Sequence, residues 1–122
     1  MTILIADDNF FSRELMRDLL EASGHVIIEA VNGRDALDLI RRCRPGLVFL
    51  DLQMPLQDGF SVLRELRADS RFRKLAVVAL TASAMIGDRE RAIAAGFDSY
   101  IAKPIDVCEV EAHVLTFASR RL

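Results

Sequence analysis

Five short apolar runs recur along the chain, and each is continuous rather than alternating. They are residues 3–6, 26–30, 47–50, 76–80 and 100–102. Strands that are covered on both faces of a parallel sheet have this appearance. The segments between the runs carry apolar residues at helical spacing, so the pattern predicts strands and helices in strict alternation.

The predicted helices have recognisable signals. In the first, Phe11, Leu15 and Leu19 recur at i+4 with charged residues on the other faces, which predicts that this stripe is the buried one. Asn32 and Asp58 stand at N-cap positions ahead of the second and third helices. The pattern is therefore a βα unit repeated five times.

Strict βα alternation predicts a parallel sheet with right-handed crossovers and helices on both faces. For five strands the common solution is the flavodoxin-like (βα)5 order 2-1-3-4-5, whose switch point lies between strands one and three. The length of 122 residues predicts a single domain over residues 1–122. Ligands of such sheets bind beyond the carboxyl ends of the strands.

Composition narrows the class of protein. A hydrophobic content of 52% with 28% charged residues is typical of a globular protein. A net charge of -2 and a pI near 5.7 argue against electrostatic binding of nucleic acid. No apolar stretch approaches the ~18 residues of a membrane span, and no secretory leader is recognisable. We therefore expect a cytoplasmic protein without membrane or nucleic-acid partners.

Reactive or charged side chains follow four of the five predicted strands. They are Asp7 and Asp8, Asp51, Thr81 and Lys103, after the first, third, fourth and fifth strands. The second strand, which the predicted order puts at the outer edge, ends in residues 29–31 without such a pattern. The predicted order therefore brings the four tips to one edge of the sheet.

Three carboxylates in one crevice repel each other and raise pKa values unless a cation joins them. Hard oxygen ligands without His or Cys select Mg²⁺, with Mn²⁺ as a substitute, and one Mg²⁺ plus Lys103 balances the three formal negative charges. Such a site suits phosphoryl transfer. Asp51 would be the nucleophile, since a carboxylate needs no general base, and Thr81 could hydrogen-bond a phosphoryl oxygen.

Together these motifs resemble a response-regulator receiver domain of two-component signalling, over essentially the whole chain. The matching motifs are Asp7-Asp8, Asp51 followed by Met54-Pro55 and Asp58-Gly59, Thr81-Ala82, and Lys103-Pro104. The resemblance implies that Asp51 accepts a phosphoryl group from a sensor histidine kinase or a histidine phosphotransfer protein. It implies a regulatory phosphoacceptor rather than a turnover enzyme, with output through the face formed by the fourth helix, fifth strand and fifth helix.

The resemblance also implies roles for single residues around Asp51. Asp8 and Asp51 would bind Mg²⁺ directly, Asp7 mainly through water, and the backbone carbonyl of Gln53 would complete the protein ligands. Lys103 would contact the phosphoryl group, and the peptide bond that follows it is often cis in similar proteins.

A switch pair and a subtype follow from the same resemblance. Thr81 and Tyr100 resemble the pair in which the threonine moves to the phosphate and the aromatic ring turns inward. Residues 81–90 look most like receivers that stand alone or are attached to hybrid kinases. Gln53 and Ser83 occupy positions that vary within the family and tune dephosphorylation.

Two other functions remain open at this point. A haloacid-dehalogenase-type Mg²⁺-dependent phosphohydrolase also combines Asp, Thr or Ser, Lys and Mg²⁺, but that class resembles Asp-x-Asp, and here Gln53 stands at the second position. A flavin-binding electron carrier uses the same fold, but Asp7 and Asp8 would repel its phosphate.

Overall fold

The computed structural model describes residues 1–82 and 87–119, in which five strands alternate with five helices. The strands are β1 (Thr2–Ala6), β2 (Val26–Ala30), β3 (Leu47–Asp51), β4 (Ala76–Thr81) and β5 (Ser99–Ala102). The helices are α1 (Phe10–Ala22), α2 (Gly33–Cys43), α3 (Gly59–Ala68), α4 (Asp88–Ala95) and α5 (Val107–Ser119). The alternation predicted from the apolar runs is confirmed.

All neighbouring strands are parallel, and their order is β2-β1-β3-β4-β5. The register places Ala6 beside Ala30 of β2 and Leu50 of β3. The chain moves outward from β1 to β2 and then crosses back to β3, so the crossover direction reverses between β1 and β3. The predicted flavodoxin-like order and its switch point are confirmed.

The core consists of two layers, one on each face of the sheet. Alternate residues of the central strands point to opposite faces, so Leu4, Val48 and Leu50 pack with α2 and α3, whereas Ile3 and Phe49 pack with α1 and α5. Every residue of β3 is buried. Burial on both faces explains why the strands read as continuous apolar runs.

The predicted buried face of α1 is confirmed for Leu19, which is partly buried against the core layer of α1 and α5, and is wrong for the other two residues. Phe11 is 81% exposed and Leu15 43% exposed, while Met16 and Leu20 are the buried residues of this helix. Met16 and Leu20 are also four residues apart, so the helix carries two apolar stripes. The second stripe packs in the same cluster as the apolar residues of α5.

Side-chain caps fix where the helices begin. Asn32 accepts a hydrogen bond from the Asp35 amide at 2.8 Å, and Asp58 accepts one from the Ser61 amide at 2.8 Å. Both N-caps predicted from the sequence are confirmed. The Asp58 cap starts α3 directly after the loop that follows β3.

Arg67 of α3 joins two loops at the edge of the sheet opposite the strand tips. Its guanidinium donates to the carbonyls of Phe72 and Leu75 at 2.9 and 2.8 Å, and to the carbonyl of Gly96 at 3.0 Å. It also pairs with Asp98 at 3.1 Å. Because Gly96 is the C-cap of α4, this contact fixes the C-terminal end of that helix.

Within residues 1–82 and 87–119, no helix has the length and apolar character needed to cross a membrane.

Candidate functional site

The candidate site lies where β1 and β3 end side by side. Asp51 is the last residue of β3, and Asp7 follows the last residue of β1. The Asp7 amide donates to the carbonyl of Ala30 at 3.1 Å, which carries the β1 backbone one residue beyond the strand. Both carboxylates are therefore held by sheet backbone at the switch point, where open α/β sheets bind ligands.

Lys103 joins the two buried carboxylates. Its ammonium nitrogen donates to Asp51 Oδ2 at 2.9 Å and to Asp7 Oδ1 at 3.0 Å. The Lys103 side chain is 15% exposed and that of Asp7 is fully buried. The tip of β5 and the tips of β1 and β3 thus meet in one cluster, although 52 and 96 positions separate the lysine from its partners in sequence.

The pKa values of Asp51 and Lys103 are both raised, although burial acts on the two groups in opposite directions. Burial raises the pKa of Asp51 to about 6, against the lowering effects of the Gln53 amide and Lys103. Burial alone would lower the pKa of Lys103, but the hydrogen bonds to Asp7 and Asp51 outweigh it and raise that pKa. The lysine stays charged, and Asp51 is harder to ionise mainly because it is buried, with a smaller contribution from the charge of Asp7.

Asp8 completes a cluster that fits a divalent cation. One carboxylate oxygen from each of Asp7, Asp8 and Asp51 lies within 4.8 Å of the others. Asp7 Oδ2 is buried and accepts no hydrogen bond from residues 1–82 and 87–119, so its contact is the ion pair with Lys103 Nζ at 2.8 Å. This oxygen keeps lone pairs that a bound cation could take. An all-oxygen donor set of this kind suits Mg²⁺.

The Asp51 carboxylate is held in a fixed orientation. Oδ1 accepts a hydrogen bond from the Gln53 amide at 2.9 Å, and Oδ2 accepts the bond from Lys103. The Gln53 amide belongs to the loop between β3 and α3, whose path returns close to the strand tip. This loop therefore contributes a donor to the site through its backbone.

Gly59 lets that return path approach the strand tip. A Cβ atom at Gly59 would lie 2.5 Å from the Asp51 carbonyl oxygen and 2.9 Å from the Cα atom of Leu52. Both distances are shorter than real Cβ contacts, and both neighbours are backbone atoms that cannot rotate away. The glycine is therefore needed for the close packing of α3 against the Asp51 backbone.

Substituting Gly59→Ala is expected to lower the free energy of unfolding by about 2 kcal/mol, because the methyl group forces the backbone of Asp51 to move. Alanine otherwise favours helices over glycine by roughly 1 kcal/mol, so helix propensity alone predicts the opposite sign. Urea unfolding of the two proteins measures the difference. An alanine variant as stable as the wild type would contradict the steric contact.

The remaining predicted residues lie on neighbouring elements. Thr81 is the buried last residue of β4, and Tyr100 is half-buried on β5, where it packs against the core layer that includes Leu50. Gln53 is exposed, and the Lys103-Pro104 peptide bond is cis. The position of Ser83, and with it part of the segment used to assign a subtype, lies outside the described residues.

One contact to the site was not predicted from the sequence. Arg13 of α1 donates to the backbone carbonyl of Asp7 at 2.9 Å and to Glu29 of β2 at 3.3 Å. In the sequence, Arg13 is one of the charged residues on the other faces of the first helix, and the second strand ends without a reactive pattern. No signal in the sequence links the two, because only the pairing of β1 with β2 brings Glu29 beside α1.

Comparison with known proteins agrees with this geometry. Residues 3–115 match the family model described as the response regulator receiver domain. The polar-differentiation response regulator DivK of Brucella anthropi is 44% identical over 106 residues, which cover 87% of this chain and 86% of that protein. DivK of Brucella ovis is 42% identical over the same shares.

Solved receiver domains have the same fold. The receiver domain of the Francisella response regulator 1452 superimposes with a TM-score of 0.92 at 26% identity, covering 99% of this chain and 98% of that one. The receiver domain of the sensor histidine kinase PA1611 from Pseudomonas aeruginosa has a TM-score of 0.88 at 30% identity, with 97% of each chain covered. That structure has a magnesium ion coordinated in its active-site cleft.

These matches decide between the functions that the sequence left open. The hydrolase alternative finds no support, because the matching family is a regulatory module of two-component signalling and the match covers nearly the whole chain. The relatives at 42–44% identity are response regulators as well. The chain belongs to the family of response regulator receiver domains.

Proposed function

We propose that Asp51 is the phosphoryl acceptor of this receiver domain and that the donor is a phosphohistidine of a sensor histidine kinase or a histidine phosphotransfer protein. The observation that carries the proposal is the convergence of Asp51, Asp7 and Lys103 at the switch point, with hydrogen bonds of 2.9 and 3.0 Å from the lysine. An Asp51 oxygen would attack phosphorus as the N–P bond breaks, and the bonding electron pair would return to the imidazole nitrogen.

A divalent ion belongs to the same proposal. Asp7, Asp8 and Asp51 would hold Mg²⁺, or Mn²⁺ in its place, together with the backbone carbonyl of Gln53. The bound ion would offset negative charge on the phosphoryl oxygens during transfer. The acidic cluster within 4.8 Å and the lone pairs that Asp7 Oδ2 keeps support this part.

The chain's own groups would do the remaining work. Lys103 would contact the phosphoryl group, and Thr81 would donate its hydroxyl to a phosphoryl oxygen. Tyr100, on the strand next to Thr81, would turn inward in response. The surface formed by α4, β5 and α5 would then bind the downstream protein.

The proposal treats residues 1–122 as one receiver domain located in the cytoplasm. Its chemistry would be limited to its own phosphorylation and dephosphorylation. Electrostatic binding of nucleic acid is not part of the proposal, because the chain carries a net charge of -2. The kinase and the downstream partner would be recognised through protein contacts.

The test is phosphorylation by a small donor such as phosphoramidate in the presence of Mg²⁺, followed by intact mass spectrometry. We expect one phosphoryl group on the wild type and none on Asp51→Asn. The matched control is Asp58→Asn, which changes an exposed carboxylate seven positions on and keeps an N-cap residue of equal quality. Equal phosphorylation of the wild type and Asp51→Asn would overturn the proposal.

A further inference from the structure

Asp8 owes its position to the backbone. Its carboxylate is exposed and makes no hydrogen bond or ion pair with any residue in the described ranges 1–82 and 87–119. The carbonyl of Asp7 and the amide of Asp8 belong to one rigid peptide plane. Whatever fixes the Asp7 carbonyl therefore also fixes the position of the Asp8 Cα atom, from which the Asp8 side chain leaves the backbone.

Arg13 fixes that carbonyl. Its Nη1 atom donates to the Asp7 oxygen at 2.9 Å, and its side chain is only 13% exposed. The Nε atom of the same guanidinium donates to Glu29 at 3.3 Å. The guanidinium is planar with its donors in a fixed arrangement. The bond from Nε to Glu29 therefore also fixes Nη1, which donates to the Asp7 carbonyl.

The positive charge of Arg13 is compensated by the neighbouring carboxylate of Glu29. Glu29 pairs with Arg13 through Oε1 and with Arg17 through Oε2, the latter at 2.6 Å. Arg17 forms its hydrogen bonds and ion pairs with Glu21 and Glu29 and none with Asp7, although it shares the same helix and the same glutamate. The two arginines thus differ in one contact that matters here, the bond to the Asp7 carbonyl.

We infer that Arg13 is a positioning residue for the Mg²⁺ site, acting through the Asp7 carbonyl on the position of Asp8. The inference rests on the proposed function, since it assigns a role toward the ion that Asp7, Asp8 and Asp51 would hold. Arg13 touches neither the ion nor the phosphoryl group. It aligns an otherwise unsupported ligand before the ion arrives.

The sign of the effect separates positioning from simple electrostatics. Removing a cation near a Mg²⁺ site favours Mg²⁺ binding by Coulomb's law. Losing the alignment of Asp8 disfavours it. A weaker site after removal of Arg13 can therefore come only from lost positioning, whereas a general electrostatic role predicts a tighter one.

The experiment compares Arg13→Met with Arg17→Met by calorimetric titration of the metal-free proteins with Mg²⁺. We expect Arg13→Met to raise the Kd for Mg²⁺ by roughly tenfold, the lower end of the effects seen when a residue that supports a metal ligand is replaced. The Kd of Arg17→Met should stay within about twofold of the wild-type value, well below the tenfold change. Arg13→Lys keeps the charge but loses the fixed pair of donors, so its Kd should lie between.

The phosphorylation rate gives a second readout. At saturating Mg²⁺ the rate of Arg13→Met should return to that of the wild type, because the reacting groups are untouched. If Arg13 only attaches α1 to the sheet, Arg13→Met would instead lower the thermal unfolding temperature and leave the Kd for Mg²⁺ unchanged. That result would overturn the inference. If Arg13→Met does not fold, Arg13→Lys tests the same contact, because its charge equals that of the wild type and a raised Kd for Mg²⁺ then comes from the lost pair of donors.

The wild type keeps the two proposals apart. A wild type that binds no Mg²⁺ overturns the proposed function and this inference with it. A wild type that binds Mg²⁺, beside an Arg13→Met variant with equal affinity, overturns this inference alone.

Discussion

Substituting Lys103→Met should slow phosphorylation of Asp51 by about a hundredfold at saturating Mg²⁺, the usual effect of removing one preorganised charged donor from a transition state. Methionine keeps most of the apolar stem but removes the ammonium that contacts Asp51 Oδ2 at 2.9 Å and Asp7 Oδ1 at 3.0 Å. The lost cation also raises the pKa of Asp51 further, which reduces the reactive carboxylate at neutral pH. The rate of phosphoryl incorporation from phosphoramidate, followed by mass spectrometry, measures the effect.

The chain offers a matched control for this experiment. Lys74 is the other lysine of the sequence, and it is exposed just before β4, at the end of the sheet away from the site. Lys74→Met should therefore phosphorylate at the wild-type rate. A Lys103→Met protein that reacts as fast as Lys74→Met would remove Lys103 from the proposed mechanism.

The second large effect is on stability. In the metal-free protein the ionised form of Asp51 lowers the free energy of unfolding, and the amount depends on pH. The pKa of Asp51 is raised from 3.8 to about 6 in the folded chain. Between these values the folded state holds a proton that the unfolded state has released, so the free energy of unfolding falls as pH rises through this window. Above about pH 6 the cost is complete, on the order of 3 kcal/mol.

The Asp51→Asn variant isolates this contribution. Asparagine carries no charge at any pH, and Lys103 keeps Asp7 as its partner. Without Mg²⁺ we expect Asp51→Asn to be more stable than the wild type at neutral pH by roughly 3 kcal/mol, with the difference shrinking toward zero near pH 4. Urea unfolding across this range measures it. A difference that does not vary with pH would show that the ionisation of Asp51 is not its source.

The strand order and the edge that carries the site could be predicted because they depend on patterns that are visible along the sequence itself. Continuous apolar runs identified the strands, and the alternation with helices left one common topology. Asp7, Asp51 and Lys103 each stand directly after such a run. The topology alone then brought residues up to 96 positions apart to one place.

The buried face of α1 could not be predicted, because the helix has two apolar stripes at the same spacing. Phe11 and Leu15 lie on one stripe, and Met16 and Leu20 lie on the other. Periodicity detects a stripe but does not say which one meets the sheet. The contacts of Arg13 with Asp7 and Glu29 help to fix the rotation of the helix, and they depend on three elements meeting in space.

The backbone contacts of the site were equally hidden. The sequence indicates that Gly59 ends a loop, but not that its missing Cβ leaves room for the Asp51 carbonyl. Nor does it indicate which carboxylate oxygens Lys103 binds, or that Asp7 Oδ2 stays without a hydrogen bond. These features depend on distances of a few tenths of an ångström, which no residue pattern encodes.

The Arg67 contact holds one end of α4 in place. The C-terminal end of the helix is fastened at Gly96 to the loop after α3, far from the phosphoryl site. Its first residue, Asp88, follows β4 on the same edge as Thr81. A rigid helix that is held at one end can rotate about that end but cannot slide along its axis. A small displacement at the Thr81 edge would thus become a tilt of α4. The displacement of the helix would be largest next to the site and would vanish at Gly96, where Arg67 holds it.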